Sequence, residues 1–381
     1  MSKIQKVLII PDSFKDSISA IEFCAIAKDA VLNFNPKIHI ESIPMADGGE
    51  GSIDVFRKIN GYCYKTVQVK NPLGKNIYAE YCIQKKTGTA MIEMAKATGL
   101  QMVPPNHRNP MKTSSFGTGQ LILDAINSSA EKIILFIGGS ATNDIGVGML
   151  EALGFKFYNY DGELVLGQVK NIPKIVKIEN PRIVKRLQEV SFVVACDVSN
   201  RLLGPSGATH TYGKQKGANE EQIQTLENYF KIFSKVVKKF SSTDYSNSKG
   251  SGAAGGIGFS SMALLNAKYK SGFEVISEFL DLKNHINLNS YDLIITGEGK
   301  IDTQTSSGKL LMHLSNLGKK NCIPILAFGG IVDGSLEELK LQGITELIQI
   351  SPPNESIEDS IKKTDINLKA AISNKIRKYL D

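Results

Sequence analysis

Both ends of the chain alternate short apolar runs with amphipathic helical patterns, and this alternation constrains the fold more than any other feature. The first apolar run covers residues 7–10. Ser19-Ala-Ile-Glu22 follows as a capping box and predicts the start of a helix, which Pro36 ends. A second strand is predicted over residues 38–44. Strand, helix and strand in this order predict two parallel strands, so the chain begins as an α/β protein.

The same alternation returns toward the C-terminus. Strands are predicted over residues 292–296, 324–328 and 346–350, and helices over residues 310–317 and 336–341. A last helix carries apolar side chains at i, i+4 spacing from Leu368 to Leu380. The two chain ends therefore share the same alternation of predicted strands and helices.

The middle of the chain has a different pattern. Three short strand-like segments, joined by turn residues, cover residues 64–69, 77–83 and 89–94. They are typical of antiparallel or mixed strands. Beyond them, helices are predicted over residues 119–127, 147–153 and 220–240, strands over 132–137 and 191–195, and an exposed polar loop over 241–252.

A chain of 381 residues is long for one hydrophobic core, so two domains are expected. The predicted fold class is α/β, with a Rossmann-like parallel-sheet domain made of both chain ends, residues 1–68 plus 288–381. Residues 69–287 are predicted to form an inserted mixed α/β domain. A simple division into two halves is the alternative.

Composition argues against several classes of protein. No apolar run reaches the roughly 18 residues that a membrane span needs, and the first apolar run is too short for a signal peptide. A cytoplasmic protein is expected. The five cysteines form no CxxC pair, which argues against a disulfide framework or a structural zinc site. The net charge of +7 is dispersed, as on a solvated surface, rather than gathered in a nucleic-acid-binding patch.

Five glycine- and acid-rich segments follow predicted strands, where α/β folds place their ligands. The first offers Asp12, Ser13 and Lys15, which are a carboxylate, a hydroxyl and a cation just before a helix N-terminus. The second, Asp47-Gly-Gly-Glu-Gly51, combines two carboxylates with glycines whose amides are open to an anion. Its acids also suit Mg²⁺ or substrate hydroxyls.

The third segment is Gly138-Gly-Ser-Ala-Thr-Asn-Asp144. Its glycines allow close backbone approach, Ser140 and Thr142 can donate to oxyanions, and Asp144 can accept a proton from an alcohol or bind a metal. By residue type it is the most site-like stretch of the chain.

The fourth segment, Cys196-Asp-Val-Ser-Asn200, places Asp197 at the carboxyl end of a strand, a usual position for a base or a metal-binding acid. Lys214 and Lys216 follow it, as cations suited to phosphates or as solvated loop residues.

The fifth segment, Gly297-Glu-Gly-Lys-Ile-Asp302, is predicted to follow a strand directly. Gln304, Thr305 and Lys309 come after it and complete a set suited to a carboxylate or a polyphosphate. Turn chemistry and helix capping would also account for each of the five segments taken singly.

Two motifs lack the context that their usual function requires. Gly250-Ser-Gly-Ala-Ala-Gly255 satisfies GxGxxG, but it follows a polar stretch rather than a strand, so a tight turn with close helix packing is expected. No glycine–lysine pair has the spacing of a Walker A loop.

Seven segments in this order resemble the bacterial glycerate kinases of the second type, over residues 4–350. They are Pro11-Asp-Ser-Phe-Lys15, Met45-Ala-Asp-Gly-Gly-Glu-Gly51, Gly138-Gly-Ser-Ala-Thr-Asn-Asp144, Ala195-Cys-Asp-Val198, Gln215-Lys-Gly-Ala218, Gly252-Ala-Ala-Gly-Gly256 and the stretch from Gly297 to Lys309. The resemblance implies ATP-dependent phosphorylation of D-glycerate, giving 2-phosphoglycerate with Mg²⁺ as cofactor. It also implies two α/β domains with the active site in the cleft between them. The chain departs from the family pattern where Asp16 and Ile145 stand in place of glycines and where Arg201 and Lys214 stand in place of prolines.

Roles within this site are assigned as hypotheses. The candidate catalytic residues are Asp197, Asp144 and Lys309. The candidate substrate- and phosphate-binding residues are Asp12, Ser13, Lys15, Gly48, Gly49, Glu50, Gly138, Gly139, Ser140, Thr142, Asn143, Asn200, Gly297, Asp302, Gln304 and Thr305. Asp47 and Glu298 are the candidate Mg²⁺ ligands.

The expected partners are D-glycerate and ATP, with no nucleic acid and no membrane, and a homodimer is one assembly that the sequence allows. Three alternatives stay open. They are a kinase of another small hydroxy-acid or one that forms 3-phosphoglycerate, a nicotinamide-dependent oxidoreductase, and a non-catalytic anion-binding regulator.

Overall fold

A computed structural model describes residues 4–180, 184–288, 290–302, 310–333 and 343–380. Contacts divide the chain into two compact units, Met1–Asp47 with Phe273–Asp381, and Gly48–Gly272. Each unit contains its own main β-sheet flanked by helices, so the predicted α/β fold class is confirmed. Within the described residues, no helix combines the length and apolar character that a membrane span requires.

In chain order the elements are β1 (Lys6–Ile9), α1 (Ala20–Phe34), β2 (His39–Ser42), β3 (Tyr62–Lys70), β4 (Asn76–Gln84), β5 (Thr89–Glu93), α2 (Ala95–Thr98), α3 (Phe116–Asn127), β6 (Lys132–Phe136), α4 (Val147–Ala152), β7 (Lys156–Tyr158), β8 (Leu164–Val165), β9 (Lys177–Glu179), α5 (Val184–Glu189), β10 (Ser191–Ala195), α6 (Ala208–Tyr212), α7 (Glu220–Ser241), α8 (Ala253–Leu264), β11 (Lys268–Lys270), α9 (Gly272–Phe279), α10 (Leu282–Leu288), β12 (Leu293–Ile301), α11 (Leu310–Asn321), β13 (Ile325–Val332), β14 (Glu346–Gln349), α12 (Ile357–Lys362) and α13 (Thr364–Leu380).

The smaller unit, built from both chain ends, contains a five-stranded parallel sheet in the order β14-β13-β12-β1-β2. The predicted capping box is present at the start of α1, since Ser19 Oγ accepts from Glu22 N while the Glu22 carboxylate accepts from Ser19 N. The predicted apolar face of the last helix is buried at Leu368, Ile372 and Ile376.

One strand of this sheet is longer than predicted. The pattern placed a strand at residues 292–296 with the fifth segment in a loop after it, but β12 continues to Ile301. Gly297 and Glu298 pair with Phe328 and Gly329 of β13, and this parallel pairing extends the strand through the glycines. The helix predicted over residues 336–341 lies outside the described residues.

The larger unit contains a six-stranded mixed sheet in the order β11-β10-β6-β5-β4-β3. The pairs β3–β4 and β4–β5 are antiparallel and the others are parallel, which confirms the mixed pattern predicted for residues 64–94. A small antiparallel sheet, β8-β7-β9, belongs to the same unit. Parallel β10 and β6 bring the segments after residues 136 and 195 to one edge of the main sheet.

The chain passes from one compact unit to the other after residue 47 and again before residue 273. The sequence pattern predicted these bounds at residues 68 and 288. The difference has two local causes. Strand β3 pairs with β4 from Tyr62 to Lys70, so residues 62–68 share a sheet with the larger unit. At the other bound, the His285 ring lies 2.6 Å from the Glu41 carboxylate, which joins α10 to β2 of the smaller unit.

Candidate active site

Three carboxylates, Asp12, Asp47 and Glu298, line one cavity of the smaller unit. Asp12 N donates to Gly297 O at 2.9 Å, which holds the segment after β1 against β12. Burial raises the pKa of Asp12 to about 8, and repulsion from Asp47 and Glu298 adds to the rise. The Asp12 carboxyl therefore lies in a strongly negative and poorly solvated place.

The polar groups beside these acids are arranged to bind charged ligands. Lys15 Nζ lies 2.8 Å from Asp47 Oδ2, and the lysine side chain is well exposed. Ser13 N donates to Asp12 Oδ1 at 2.6 Å. The start of α1 is capped by the side chains of Ser19 and Glu22, which already offset the positive end of the helix dipole. Lys15 is therefore the group that provides positive charge for an anion.

A cavity of about 490 Å³ lies at this edge of the sheet, and its lining includes Asp12, Ser13, Lys15, Asp47, Glu298 and Asp302. Lys300 Nζ lies 3.2 Å from Asp302 Oδ2. Gly297 itself is buried in β12, where an added Cβ would lie 2.5 Å from Phe328 O. Its role is therefore to allow close strand packing rather than to touch a ligand. Gln304, Thr305 and Lys309 lie outside the described residues.

Two glycine segments meet in the larger unit. Gly138 N donates to Gly48 O at 3.0 Å. A Cβ added to Gly138 would lie 2.5 Å from Gly49 Cα, and Gly48 has a φ of +89°. Both positions require glycine for this close approach. The structure thus brings together Gly48, Gly49 and Gly138, while the Glu50 side chain is exposed.

A buried glutamate that carried no motif signal anchors the second of these segments. Glu93 at the end of β5 accepts from Gly51 N at 3.1 Å and from Ile53 N at 3.3 Å. Burial raises the pKa of Glu93 to about 7, although the charge of Lys96 opposes the rise. Its only sequence signal is an acid that ends an apolar strand, the same position that singled out Asp197.

Asp197 lies two residues after the end of β10 and is partly exposed. Its Oδ1 accepts from Ser271 Oγ at 2.5 Å and from Gly272 N at 2.9 Å. The Tyr269 hydroxyl donates to the carbonyls of Cys196 and Val198 and so fixes the backbone on both sides of the aspartate. A Cβ added to Gly48 would lie 2.9 Å from Gly272 Cα, so the glycine segment and the Asp197 anchor are neighbours.

The Asn200 side chain forms hydrogen bonds within its own loop. Its Nδ2 donates to Ser206 O at 2.7 Å, and its Oδ1 accepts from the Tyr212 hydroxyl at 2.7 Å. Both ends of the amide are therefore engaged within residues 200–212, and a ligand would have to displace one of these contacts.

Asp144 is completely buried, unlike Asp197. Its Oδ2 accepts from Ser115 N and Ser115 Oγ, both at 2.8 Å, and its Oδ1 accepts from Gly146 N at 3.1 Å. Burial raises the pKa of Asp144, and these hydrogen bonds oppose the rise. In this conformation the carboxylate joins the third segment to the start of α3 and has no surface open to a substrate.

Lys216 lies in the interior rather than in a solvated loop. Its Nζ donates to Ser140 Oγ at 2.8 Å and to Thr142 O at 2.7 Å. Burial lowers the pKa of Lys216 to about 7, against the attraction of Asp144. The sequence did not decide whether this lysine binds a phosphate or is a solvated loop residue, because its burial depends on a segment more than seventy residues away.

The side chains next to Lys216 retain unused hydrogen-bonding capacity. Within the described residues, Thr142 Oγ1 and both polar atoms of the Asn143 side chain have no hydrogen-bond partner, although they are buried. Gly139 is exposed with a φ of +72°, and in the described part of the chain its amide donates to no protein group. The third segment therefore offers polar groups to a ligand.

The GxGxxG segment acts through packing, as expected. Ala254, Gly255 and Gly256 have consecutive left-handed conformations with φ of 52°, 65° and 90°. A Cβ added to Gly255 would lie 2.2 Å from Thr142 O. The segment is therefore a tight turn pressed against the third segment.

The two departures that replace glycines also have left-handed backbones, with φ of 62° at Asp16 and 51° at Ile145. Glycine adopts this conformation freely, whereas a β-branched residue does so only under strain. Ile145 is fully buried, so packing of its side chain holds it in place.

Comparison with known proteins shows the family of this chain. A model of the glycerate kinase family matches residues 7–380. The chain is 38% identical over 369 residues to a glycerate kinase from Bacillus cereus (strain ATCC 10987 / NRS 248), covering 97% of this chain and 96% of that protein. It is 36% identical over 369 residues to the glycerate 2-kinase of Escherichia coli (strain K12), with the same coverage.

A solved structure shows the same fold. The crystal structure of a candidate glycerate kinase 2 from Salmonella typhimurium LT2 matches with a TM-score of 0.80 at 34% identity, over 97% of both chains. The resemblance found in the sequence is thus confirmed. The chain belongs to the glycerate kinase family and is a kinase that transfers a phosphoryl group to an alcohol.

Proposed function

We propose that this kinase phosphorylates D-glycerate on its 2-hydroxyl with ATP, giving 2-phosphoglycerate. The observation that carries the proposal is Asp197, a partly exposed residue whose carboxylate is fixed by Ser271 and Gly272 beside a glycine-rich backbone. A relative named glycerate 2-kinase supports the choice of the 2-hydroxyl.

Asp197 orients the attacking hydroxyl and accepts its proton as the new bond to the γ-phosphorus forms and the bond from that phosphorus to the leaving ADP breaks. The carboxylate suits this role because Oδ1 is held by two donors, which fixes the direction in which the group faces. Phosphoryl transfer requires positioning and charge neutralisation more than covalent chemistry from the protein. Asp144 is the weaker candidate, because its carboxylate is buried and already accepts three hydrogen bonds.

The carboxylate of glycerate would be bound by backbone amides and a lysine. The exposed Gly139 amide of the third segment is one donor, and Ser140 and Thr142 lie beside it. Lys309, one of the lysines that the sequence offers, would supply the positive charge. Amides and a cation fit a carboxylate because they neutralise it without needing a proton.

The acids of the smaller unit fit Mg²⁺. Asp12, Asp47 and Glu298 repel one another, which a bound cation would relieve. Within the described residues no three His, Cys, Asp or Glu side chains are grouped as a metal site, but Mg²⁺ needs only one or two protein carboxylates when phosphates supply further ligands. Asp47 and Glu298 would hold the ion, which would offset phosphate charge during transfer.

A homodimer and a cytoplasmic location stay predictions.

Replacement of Asp197 tests the assignment. The variant Asp197→Asn keeps the acceptor oxygen for Ser271 and Gly272 but removes the base, so kcat should fall by about 10²–10⁴-fold. The assay is D-glycerate-dependent ADP release from Mg-ATP. The circular dichroism spectrum and the unfolding temperature should match those of the wild type. A kcat near the wild-type value would remove Asp197 from the role.

A further inference from the structure

The cavity of the smaller unit is larger than glycerate requires. Its volume of about 490 Å³ falls in the range of sites that take drug-sized ligands. The lining comes from the carboxyl ends of β1, β12, β13 and β14, which are four neighbouring strands. With strands ~4.8 Å apart, the cavity runs across ~14 Å of the sheet. A three-carbon acid would fill only part of that length.

The cavity also lies at the topological switch point of this sheet, where the order of the strands reverses. The chain continues from β1 to β2 on one side of β1, while β12 occupies the other side. In open α/β sheets the crevice beside such a point, at the carboxyl ends of the strands, is the preferred ligand site. Asp12 follows β1 and Glu298 lies in the carboxyl-terminal half of β12, the two strands that border it.

One part of the lining is apolar and exposed. Ile357 and Ile361 of α12 line the cavity with 64% and 37% of their surfaces exposed. They are four residues apart and so share one helix face. Pro352 and Pro353, also exposed, continue this surface after β14. Glycerate has no apolar face to cover these side chains, whereas a nucleobase has one.

The position of α12 is fixed by polar contacts. Ser17 Oγ donates to Ile361 O at 3.0 Å, which joins the helix to the segment after β1. At the other end, Ser356 Oγ accepts from Asp359 N at 3.1 Å and caps the helix. The apolar surface is therefore presented on a held element rather than on a free loop.

The charged part of the lining favours a metal-bound polyphosphate over a free acid. Asp12, Asp47 and Glu298 would repel the carboxylate of glycerate. The same acids attract Mg²⁺, while Lys15 and Lys300 supply cations for phosphate oxygens. A nucleotide with bound Mg²⁺ matches both the acids and the lysines.

We infer that this cavity is the nucleotide subsite of the kinase, with the base packed on Ile357 and Ile361 and the Mg²⁺-bound phosphates at Asp12 and Lys15. The inference rests on the proposed function only in taking a nucleoside triphosphate as the phosphoryl donor.

Direct binding of N-methylanthraniloyl-ADP with Mg²⁺ tests this placement without turnover. The chain contains no tryptophan, so protein fluorescence interferes little with the probe. The variant Ile357→Asp should raise the Kd of the probe by about tenfold or more, since it removes apolar contact area. Ile357→Leu should bind within about twofold of the wild type.

The matched control is Ile366→Asp. Ile366 is a similarly exposed isoleucine on α13, at 65%, but it does not line the cavity. It should leave the Kd unchanged. Equal weakening by both aspartate variants, or wild-type affinity in Ile357→Asp, would overturn the inference, and so would a wild-type protein that does not bind the probe. A rise in KM for D-glycerate with an unchanged probe Kd would assign the cavity to the acid instead.

Failure of the inference and failure of the proposed function can be told apart. If the wild type binds the probe, Ile357→Asp weakens it and D-glycerate is not phosphorylated, the inference stands and the substrate assignment falls. If D-glycerate is phosphorylated while the two aspartate variants bind the probe alike, the function stands and this cavity is not the nucleotide subsite.

Discussion

Ala254 has a left-handed backbone, with φ of 52° and ψ of 40°, in a segment where its two following neighbours are glycines. A residue with a Cβ loses about 1 kcal/mol or more in this conformation. Ala254→Gly should therefore raise the free energy of unfolding by up to about 1 kcal/mol, after the entropy that glycine gains in the unfolded chain is subtracted.

The neighbouring alanine provides the matched comparison. Ala253 is buried with helical backbone angles, so Ala253→Gly should lower the free energy of unfolding by about 1 kcal/mol. Urea unfolding of the two variants gives both values. Changes of the same sign would show that backbone strain at residue 254 is not as described.

Lys216 predicts a specific pH dependence of stability. Its pKa is lowered from 10.5 to about 7 in the folded state, so above pH 7 the unfolded chain binds the proton more strongly. The free energy of unfolding then rises with pH, by up to about 1.4 kcal/mol per pH unit between about pH 7 and pH 10. Lys216→Met should lack this rise.

The measurement is urea unfolding of both proteins at several pH values from about 7 to 9. The quantity compared is the difference between wild type and Lys216→Met, because other groups with shifted pKa values, such as Glu93 and Asp12, cancel in it. Parallel curves would mean that Lys216 keeps an ordinary pKa and is not buried beside Ser140 and Thr142.

At the scale of elements, the segment from Gly48 to Ile53 depends on Glu93 for its shape. Glu93→Gln leaves one acceptor oxygen where two amides now donate, so Gly51 N or Ile53 N faces an NH₂ group. Loss of a buried partner costs about 1–3 kcal/mol. Both the free energy of unfolding and kcat/KM should fall.

Glu80→Gln is the control for this variant, because Glu80 is a partly exposed member of an ion-pair group with Arg57 and Lys96. It should change stability by less than about 1 kcal/mol and leave kcat/KM near the wild-type value. If Glu93→Gln behaves like Glu80→Gln, the glutamate does not hold the glycine segment.

The sequence predicts these elements better than it predicts their contacts. The position of Asp197 after β10 follows from strand pattern alone, because parallel strands present their carboxyl ends at one edge. Glu93 also ends an apolar strand, but nothing in the pattern shows that its oxygens meet the amides of another segment. The burial of Lys216 likewise depends on contacts between distant segments.

The end of β12 shows a related limit of prediction from the sequence. The pattern ended β12 before Gly297 because glycines are typical of turns, yet pairing with β13 extends it to Ile301. Such pairing depends on a neighbouring strand and is not visible locally. The fifth segment therefore lies partly on a rigid strand, and Glu298 is more firmly placed than a loop residue would be.

For the whole molecule, the order of the seven segments identified the family, while the compact units show which segments share a sheet. Asp12, Asp47 and Glu298 belong to the unit built from both chain ends. Asp197 and the glycine segments around Gly138 belong to the other.

The central claim is tested most directly by the product of one reaction. Purified protein is mixed with Mg-ATP and D-glycerate, and the product is coupled to enolase with and without phosphoglycerate mutase. Because enolase accepts 2-phosphoglycerate, the account predicts a full signal without the mutase. A signal that requires the mutase would show that the 3-hydroxyl is phosphorylated, and an absence of ADP release would contradict the assignment of D-glycerate as the substrate.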